Sequence, residues 1–418
     1  MQLNCAFLEA KTNFEQTKKS MRVEHGLSEQ SAEATYAALA REVMPILSEL
    51  TACRSTAEVA DHPAYRSVEK VVRQVLAKPH IADFRSHSAP PRPRYRFAAW
   101  NIERGTHFAA QLQALRTHPY LKECDVLLVT EADVGMARSA NRSVAEDLAR
   151  GLEMSHVFAP CYIALGKGSG VERDVTGANR IGLHGNAILS RYPIRDVRLI
   201  PLANGVDKMA HREQRLGCQT AVAAHVEFPG LPLDVVSIHL DAQSTQEHRR
   251  RQMATVLTTL KPGVPAVLGG DWNTSTYDTS TAFRALVDFW IRVFMGVDYV
   301  IRCHYLYPER LFERRLFRLL ESHGFEFRQS NRLGERTASY DVCDPRHMRI
   351  LNEWVAEWCF QFLRWSLRNH GGVCPWKLDW LATRGVKVEN PVIVHELREG
   401  RSVPLSDHDP VGVDVVVE

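Results

Sequence analysis

A series of short apolar runs in this chain ends in residues able to do acid–base or metal chemistry. Asn101 ends RFAAWN, Glu131 ends DVLLVTE, His239 ends LDVVSIH, and Asp271 and Asn273 end AVLGGDWN. Asp379 sits in WKLDWLAT, and Asp407 and His408 lie in LSDHDPVGVDVVV, just before a last apolar run. Alone, each is an ordinary turn residue. Together they supply carboxylates and amides, the hard oxygen donors that Mg²⁺ or Mn²⁺ prefers. They also supply histidines able to bind or protonate a phosphate. Such a set suits metal-assisted hydrolysis of a phosphate ester, provided that one sheet edge gathers its members into one pocket.

The elements that must position them are legible from periodicity. The runs above, with GNAILSRYPI and TAVAAHVEF, read as strands. RSVAEDLARGL and TQEHRRRQMATVLTTL read as helices between them, which predicts an α/β sandwich. Residues 1–85 read as helical, with apolar faces at Tyr36, Leu39, Val43 and Leu47 and at Val68, Val71, Val72 and Val75. The proline-rich stretch SHSAPPRPRYR is a stiff connector. The division expected is an N-terminal helical extension and linker over 1–93 and a catalytic domain over 94–418. No candidate ligand precedes Asn101, so the extension is read as an accessory that packs on the body or mediates assembly.

Residues 281–375 read as helical again. RLFERRLFRLLESHG places Phe312, Leu316, Leu319 and Leu320 on one face, and Gly324 is a natural helix C-cap. A helical insertion is expected over about 341–375. Its stripe of Trp354, Trp358, Phe362 and Trp365 is either packed on the body or a rim that shapes the cleft or touches a lipid interface.

Composition excludes other classes. The chain has 418 residues, 45% apolar and 24% charged, with a net charge of +3. This is neither a disordered chain nor a disulfide-dense mini-protein, and no whole-molecule field implies nucleic acid or an anionic membrane. The nine cysteines are odd in number and none follow zinc-knuckle spacing, which fits buried free thiols in a reducing compartment. Neither a secretory leader nor a membrane-spanning run is read in the sequence, so the expected location is the cytoplasm.

The ordered series WNIERG, LLVTEAD, GNAILSRYPI, SIHL, GGDWN, LDWLAT and SDHDPV resembles the endonuclease/exonuclease/phosphatase superfamily, the relatives of DNase I, across roughly residues 94–417. The resemblance implies a four-layer α/β sandwich with two packed sheets and helices outside. It implies Glu131 as principal metal ligand, with Asn101 and Asp407 nearby and Mg²⁺ or Mn²⁺ as cofactor. Asp271 would orient or deprotonate the attacking water, and Asn273 would help hold it and the phosphate. His408 would contact the scissile phosphate, Asp379 would accept a hydrogen bond from its other ring nitrogen, and His239 would be a second phosphate-facing histidine. His184, Asn186, Glu213 and Arg215 are candidates for substrate binding. The activity implied is a phosphodiesterase or nuclease. The alternatives are a phosphomonoesterase, a lipid phosphodiesterase, or a non-catalytic binding protein on the same fold.

The sequence departs from the family at Thr130, where many relatives carry Gln before the metal-binding Glu. The signatures of inositol-phosphate 5-phosphatases and of abasic-site nucleases are missing, which leaves the substrate open. Two further features read as bland. His248, Arg249, Arg250 and Arg251 look like a solvated helix face, and GKGSG at 166–170 lacks the spacing of a phosphate-binding P-loop.

Overall fold

The computed structural model describes residues 28–87, 89–274, 278, 281–344 and 359–417. Trp354 and Trp358 of the aromatic stripe lie outside these residues. In chain order the strands are β1 (His80–Asp83), β2 (Arg94–Arg104), β3 (Val126–Val134), β4 (Ser155–Ala164), β5 (Leu183–Ser190), β6 (Ile194–Leu202), β7 (Arg215–Gly217), β8 (Gln219–Phe228), β9 (Leu231–Ser237) and β10 (Ala266–Asp271). After a largely helical stretch come β11 (Ala338–Asp341), β12 (Val373–Trp376), β13 (Asp379–Arg384), β14 (Lys387–Ile393) and β15 (Val411–Val416). One sheet has the order β1-β4-β5-β3-β2-β15-β14, with β7 also paired to β4. The other has the order β13-β10-β9-β8-β6, and β11 pairs separately with β12.

The two sheets pack face to face. Tyr95, Phe97, Val126, Leu128 and Ile188 of the first meet Val222, Val226, Val235, Val267 and Leu381 of the second in one buried cluster. Each outer face is closed by helices. Over the first sheet lie Phe108–Thr117 and Val144–Leu152 together with the N-terminal helices. Over the second lie Gln246–Thr259 and Arg314–Ser322, whose Met253, Val256, Leu316, Phe317 and Leu320 are buried against it. This is the four-layer α/β sandwich that the sequence predicts.

Two pairs of strands are parallel, β2 with β3 and β9 with β10. Strands that run the same way end at the same edge. The pairs belong to different sheets, and a bond from Ser237 Oγ to the Val129 carbonyl, 3.2 Å, pins β9 to β3 across the interface near those ends. The polar strand-end residues therefore gather at one edge of the sandwich.

Several expectations are corrected. Residues 80–83 are not helical: they form β1, antiparallel to β4 at the sheet edge. The buried strand β4 goes unread in the sequence because SHVFAPCYIA carries a proline, Pro160, in the middle of its run and so does not look like a central strand. Arg249 is no solvated charge. Its guanidinium is fully buried and bonds Glu313 at 2.6 and 2.9 Å, tying the two helices of the outer layer together. The addition between β10 and β13 is also larger than 341–375. Val300, Ile301 and Tyr305 share a small core of their own with Val342, Phe360, Leu367 and Cys374. Among the described residues, no helix is long and apolar enough to cross a membrane.

Candidate active site

Asp271 ends β10 and lies at the centre of the polar edge. The Asn273 amide donates to its Oδ1 at 2.9 Å, and Asn101 Nδ2, from β2, donates to its Oδ2 at 3.1 Å. Two ring nitrogens face the same Oδ2, His239 Nε2 at 3.4 Å and His408 Nε2 at 3.7 Å. Gly270 before it has φ 137, and a Cβ there would meet the Ile238 carbonyl at 2.1 Å, so only glycine lets β10 turn Asp271 into the edge. Asn273 is itself left-handed (φ 52), and its side-chain amide donates to the Leu240 carbonyl at 2.9 Å.

His408 precedes β15 and its Nδ1 lies 2.8 Å from Asp379 Oδ2, at the start of β13. Its backbone is fixed as well. Trp100 Nε1 donates to its carbonyl at 3.1 Å, and Ser406 Oγ accepts from its amide at 3.1 Å. Thr337 Oγ1 accepts from the Asp379 amide at 3.0 Å and so holds the partner. Burial opposes charge on the His408 ring, but Asp379, Asp271 and Asp407 outweigh it and keep the imidazole protonated well above its ordinary range. Burial raises the Asp271 carboxyl to about 6, with Asp379 pushing the same way and both histidines opposing. The pair is thus an imidazolium facing a carboxyl poised near neutrality, the arrangement needed for a general base beside a charge-stabilising cation.

A second group of acids sits on the first sheet. Residues 103–105 are left-handed in succession, at Glu103 (φ 45), Arg104 (φ 65) and Gly105 (φ 74), and Glu131 on β3 is also left-handed (φ 58). Both strands shift register at this level, between Asn101 and Arg104 and between Val129 and Ala132. The two bulges turn Glu103 and Glu131 toward the edge. Gly105 is required because a Cβ would lie 2.5 Å from Val144 Cγ1. The Asp407 amide donates to Glu103 Oε2 at 3.1 Å, bringing the third carboxylate in.

Burial, reinforced by Asp407, Glu131 and Glu172, raises the Glu103 carboxyl to about 8. Burial also disfavours charge on Glu131. Arg104, His239, His184 and a hydrogen bond from Asn101 overcome this and hold it well below the usual carboxylate range. Glu103, Glu131, Asp407 and the Asn101 amide offer the hard oxygen donors that a divalent cation of the Mg²⁺ or Mn²⁺ type prefers, but the three carboxylates as they stand do not bring ligand atoms within 4.8 Å of one another. Asp271, Asp379 and His408 bring possible ligand atoms within 4.8 Å of one another. They fit a metal poorly, because the His408 ring is already committed to Asp379 and carries a proton.

Glu103 was not singled out in the sequence, although it stands two residues after Asn101 within WNIERG. Its signal was an acid directly before a turn, which is common. His184 lies behind Glu131, with Nδ1 2.9 Å from Asp133. Arg215 pairs with Glu213 beside it. Asn186 is buried, and its amide is turned to the Thr220 carbonyl at 2.9 Å, a bond that joins the two sheets. The substrate contact expected of it is replaced by this structural one, because β5 directs that side chain between the sheets.

The helix-flanked double sheet thus gathers acids and histidines at the carboxyl ends of its parallel strands. Residues 98–408 match the family described as Endonuclease/Exonuclease/phosphatase family, and the chain belongs to it. Its members are in general hydrolytic phosphoesterases. No curated protein matches the chain. Among solved structures it is similar to an endonuclease/exonuclease/phosphatase from Beutenbergia cavernae (16% identity, TM-score 0.44, covering 78% of this chain and 72% of that one). It is also similar to an AP endonuclease from Archaeoglobus fulgidus (15%, TM-score 0.42, 76% and 98%). A third is the human Nocturnin catalytic domain with bound sulfate (15%, TM-score 0.42, 81% and 96%).

Proposed function

We propose that this protein is a divalent-metal-dependent phosphodiesterase or nuclease. The observation that carries the reading is the Asp271 carboxyl, raised by burial to about 6 and faced by His408, whose ring is held by Asp379 at 2.8 Å. In this reading Asp271 takes the proton of the attacking water. Asn273 fixes Asp271 through its amide and lines the pocket. His408 and His239 donate to the non-bridging oxygens of the phosphate, and Asp379 keeps the His408 ring charged and oriented. Asn101, Glu103, Glu131 and Asp407 would hold Mg²⁺ or Mn²⁺, which when bound stabilises negative charge on the phosphate. A cytoplasmic location is part of this proposal, since buried thiols such as Cys124, Cys161 and Cys374 suit a reducing compartment.

Hydrolysis of bis-p-nitrophenyl phosphate tests this. Turnover should require Mg²⁺ or Mn²⁺, stop with EDTA, and fall at least about 10²-fold in His408→Ala and Asp271→Asn. Metal-independent turnover, or a folded His408→Ala protein of wild-type rate, would overturn it. A binding protein without catalysis would show no turnover at all.

One observation favours a second reading, a lipid-borne phosphodiester. Helix Ala282–Met295 begins soon after Asn273, and Phe283, Ile291 and Phe294 on it are exposed, as is Trp365. Phospholipid vesicles in the substrate panel, beside plasmid DNA, RNA and sugar phosphates, distinguish the two.

A further inference from the structure

Beside the metal-binding acids lies a network of charge that catalysis does not use. Arg104, Arg138 and Arg215 face Glu131, Asp133, Glu172 and Glu213. Arg138 is held from behind, its guanidinium 2.8 and 3.0 Å from the two Asp133 oxygens and 3.0 Å from Glu213. Its outer side meets Glu172 Oε2 at 3.0 Å. The other oxygen of the same carboxylate, Oε1, lies 3.2 Å from Arg104 Nε. Glu172 therefore bridges two guanidinium groups, one oxygen to each. Arg104 in turn lies 3.8 Å from Glu131 Oε2, so this bridge borders the metal-binding acids. Arg104 Nε is buried and finds no acceptor in hydrogen-bonding geometry.

The four carboxylates are anchored differently. Glu131 and Asp133 belong to β3, and Glu213 stands two residues before β7. Glu172 comes from the single turn Gly170–Asp174, within the loop that follows GKGSG. The ends of that loop are tied down, on one side by the Leu165 amide donating to the Gln214 carbonyl at 3.0 Å and on the other by Asn179 Oδ1 accepting from the Ala137 amide at 2.9 Å. Its middle reaches the network through Glu172. Of the anions on these arginines, Glu172 is the one that can leave without moving a strand.

Charge arithmetic makes the exchange reasonable. A carboxylate and a phosphodiester each carry one negative charge, so swapping them leaves the network neutral or charged as before. A phosphate offers two oxygens to the same two arginines in charge-assisted bonds of the same kind. When a divalent cation neutralises Glu131, Arg104 loses one of its two anionic partners and has more to gain from the incoming group.

We propose that Arg104 and Arg138 form a second anion subsite beside the catalytic centre, held by Glu172 as a tethered stand-in and taken over by a phosphate that flanks the scissile one. The proposal rests on the phosphoesterase reading and narrows it to substrates with two neighbouring phosphates. That phosphate can come from a polynucleotide strand or from a small bisphosphorylated molecule.

Two measurements on the full chain test it. First, amide hydrogen exchange over residues 166–180 is followed with and without inorganic pyrophosphate, in the absence of turnover. Displacement of Glu172 should speed exchange in the wild type and leave Glu172→Gln, already fast, unchanged; exchange that is unaltered or slowed in the wild type overturns the subsite. Second, KM is compared for bis-p-nitrophenyl phosphate and for thymidine 5′-(p-nitrophenyl phosphate) with and without a 3′-phosphate. Glu172→Gln should lower KM about tenfold for the 3′-phosphorylated compound only, because a competitor has been removed from binding rather than from chemistry. An equal shift for all three compounds overturns it. A single-stranded oligonucleotide in the same series shows whether the flanking phosphate of a polymer gains as much as that of the small molecule. Failure of every substrate to turn over would sink the phosphoesterase reading, while the exchange measurement would still decide the subsite.

Discussion

The segment before the sandwich and the addition between β10 and β13 look alike in sequence, each a set of amphipathic helices. In the fold they pack differently. The first buries its apolar stripe: Leu39, Val43, Val68, Val72 and Val75 join the cluster that contains Trp100, Leu127 and Leu189 of the first sheet. It also contributes β1 to that sheet. The second is divided: Leu316, Phe317 and Leu320 pack on the second sheet, while Val300, Ile301 and Tyr305 keep a small core apart and helix Ala282–Met295 leaves Phe283 74% and Phe294 84% exposed. An apolar stripe at helical spacing says that a face seeks a partner, but not whether the partner is the body of the protein.

The most severe test of this contrast is removal of the residues before Pro91. That takes away β1 and uncovers the outer apolar face of the first sheet, so the remainder should aggregate or lose its cooperative melting transition. A truncated protein with unchanged melting would show that the segment is a mere appendage. Next in size is Leu39→Ala, which should cost about 2–5 kcal/mol in chemical denaturation, the range for a buried leucine emptied to a cavity.

Acid provides the third test. His156 on β4 is buried against His80 and Phe84 of the N-terminal segment, with Tyr36 packed on His80 behind it. Burial, with His80, lowers it from 6.5 to about 3. The ring is neutral when folded and takes up a proton on unfolding, so its contribution is complete above pH 6.5 and is lost as pH falls toward 3. The loss should approach about 1.4 kcal/mol per pH unit below 6.5. Urea unfolding at pH 7 and pH 5 measures it, and His156→Phe should flatten the slope. The smallest effect belongs to the insertion. Phe294→Ser should change stability by no more than about 0.5 kcal/mol, as for a surface substitution. A loss of several kcal/mol would mean that this face is covered after all.

These tests also mark where sequence reading stops. The helix Gln246–Thr259 was legible in the run TQEHRRRQMATVLTTL, yet the burial of Arg249 was not. A basic run looks the same whether it meets water or a buried Glu313 from another helix. Strand β4 was illegible because Pro160 interrupts its run, a local signal that speaks against a central strand, while its neighbours β1 and β5 supply the pairing that overrides it.

By itself, the sequence picked out the polar groups at or beside strand ends: Asn101, Glu131, His239, Asp271, Asn273, Asp379, Asp407 and His408. Strand and turn signals are local, since they depend on alternation and on the residue that breaks it. Only the tertiary structure decided how those groups pair. His408 meets Asp379 across 29 residues of chain, and Asn101 meets Asp271 across 170. It also brought Glu103 into the acid cluster, through the left-handed bulge of β2, and set Glu172 between Arg104 and Arg138. Such contacts are fixed by the packing of two sheets, and no local pattern records which distant partner that packing supplies.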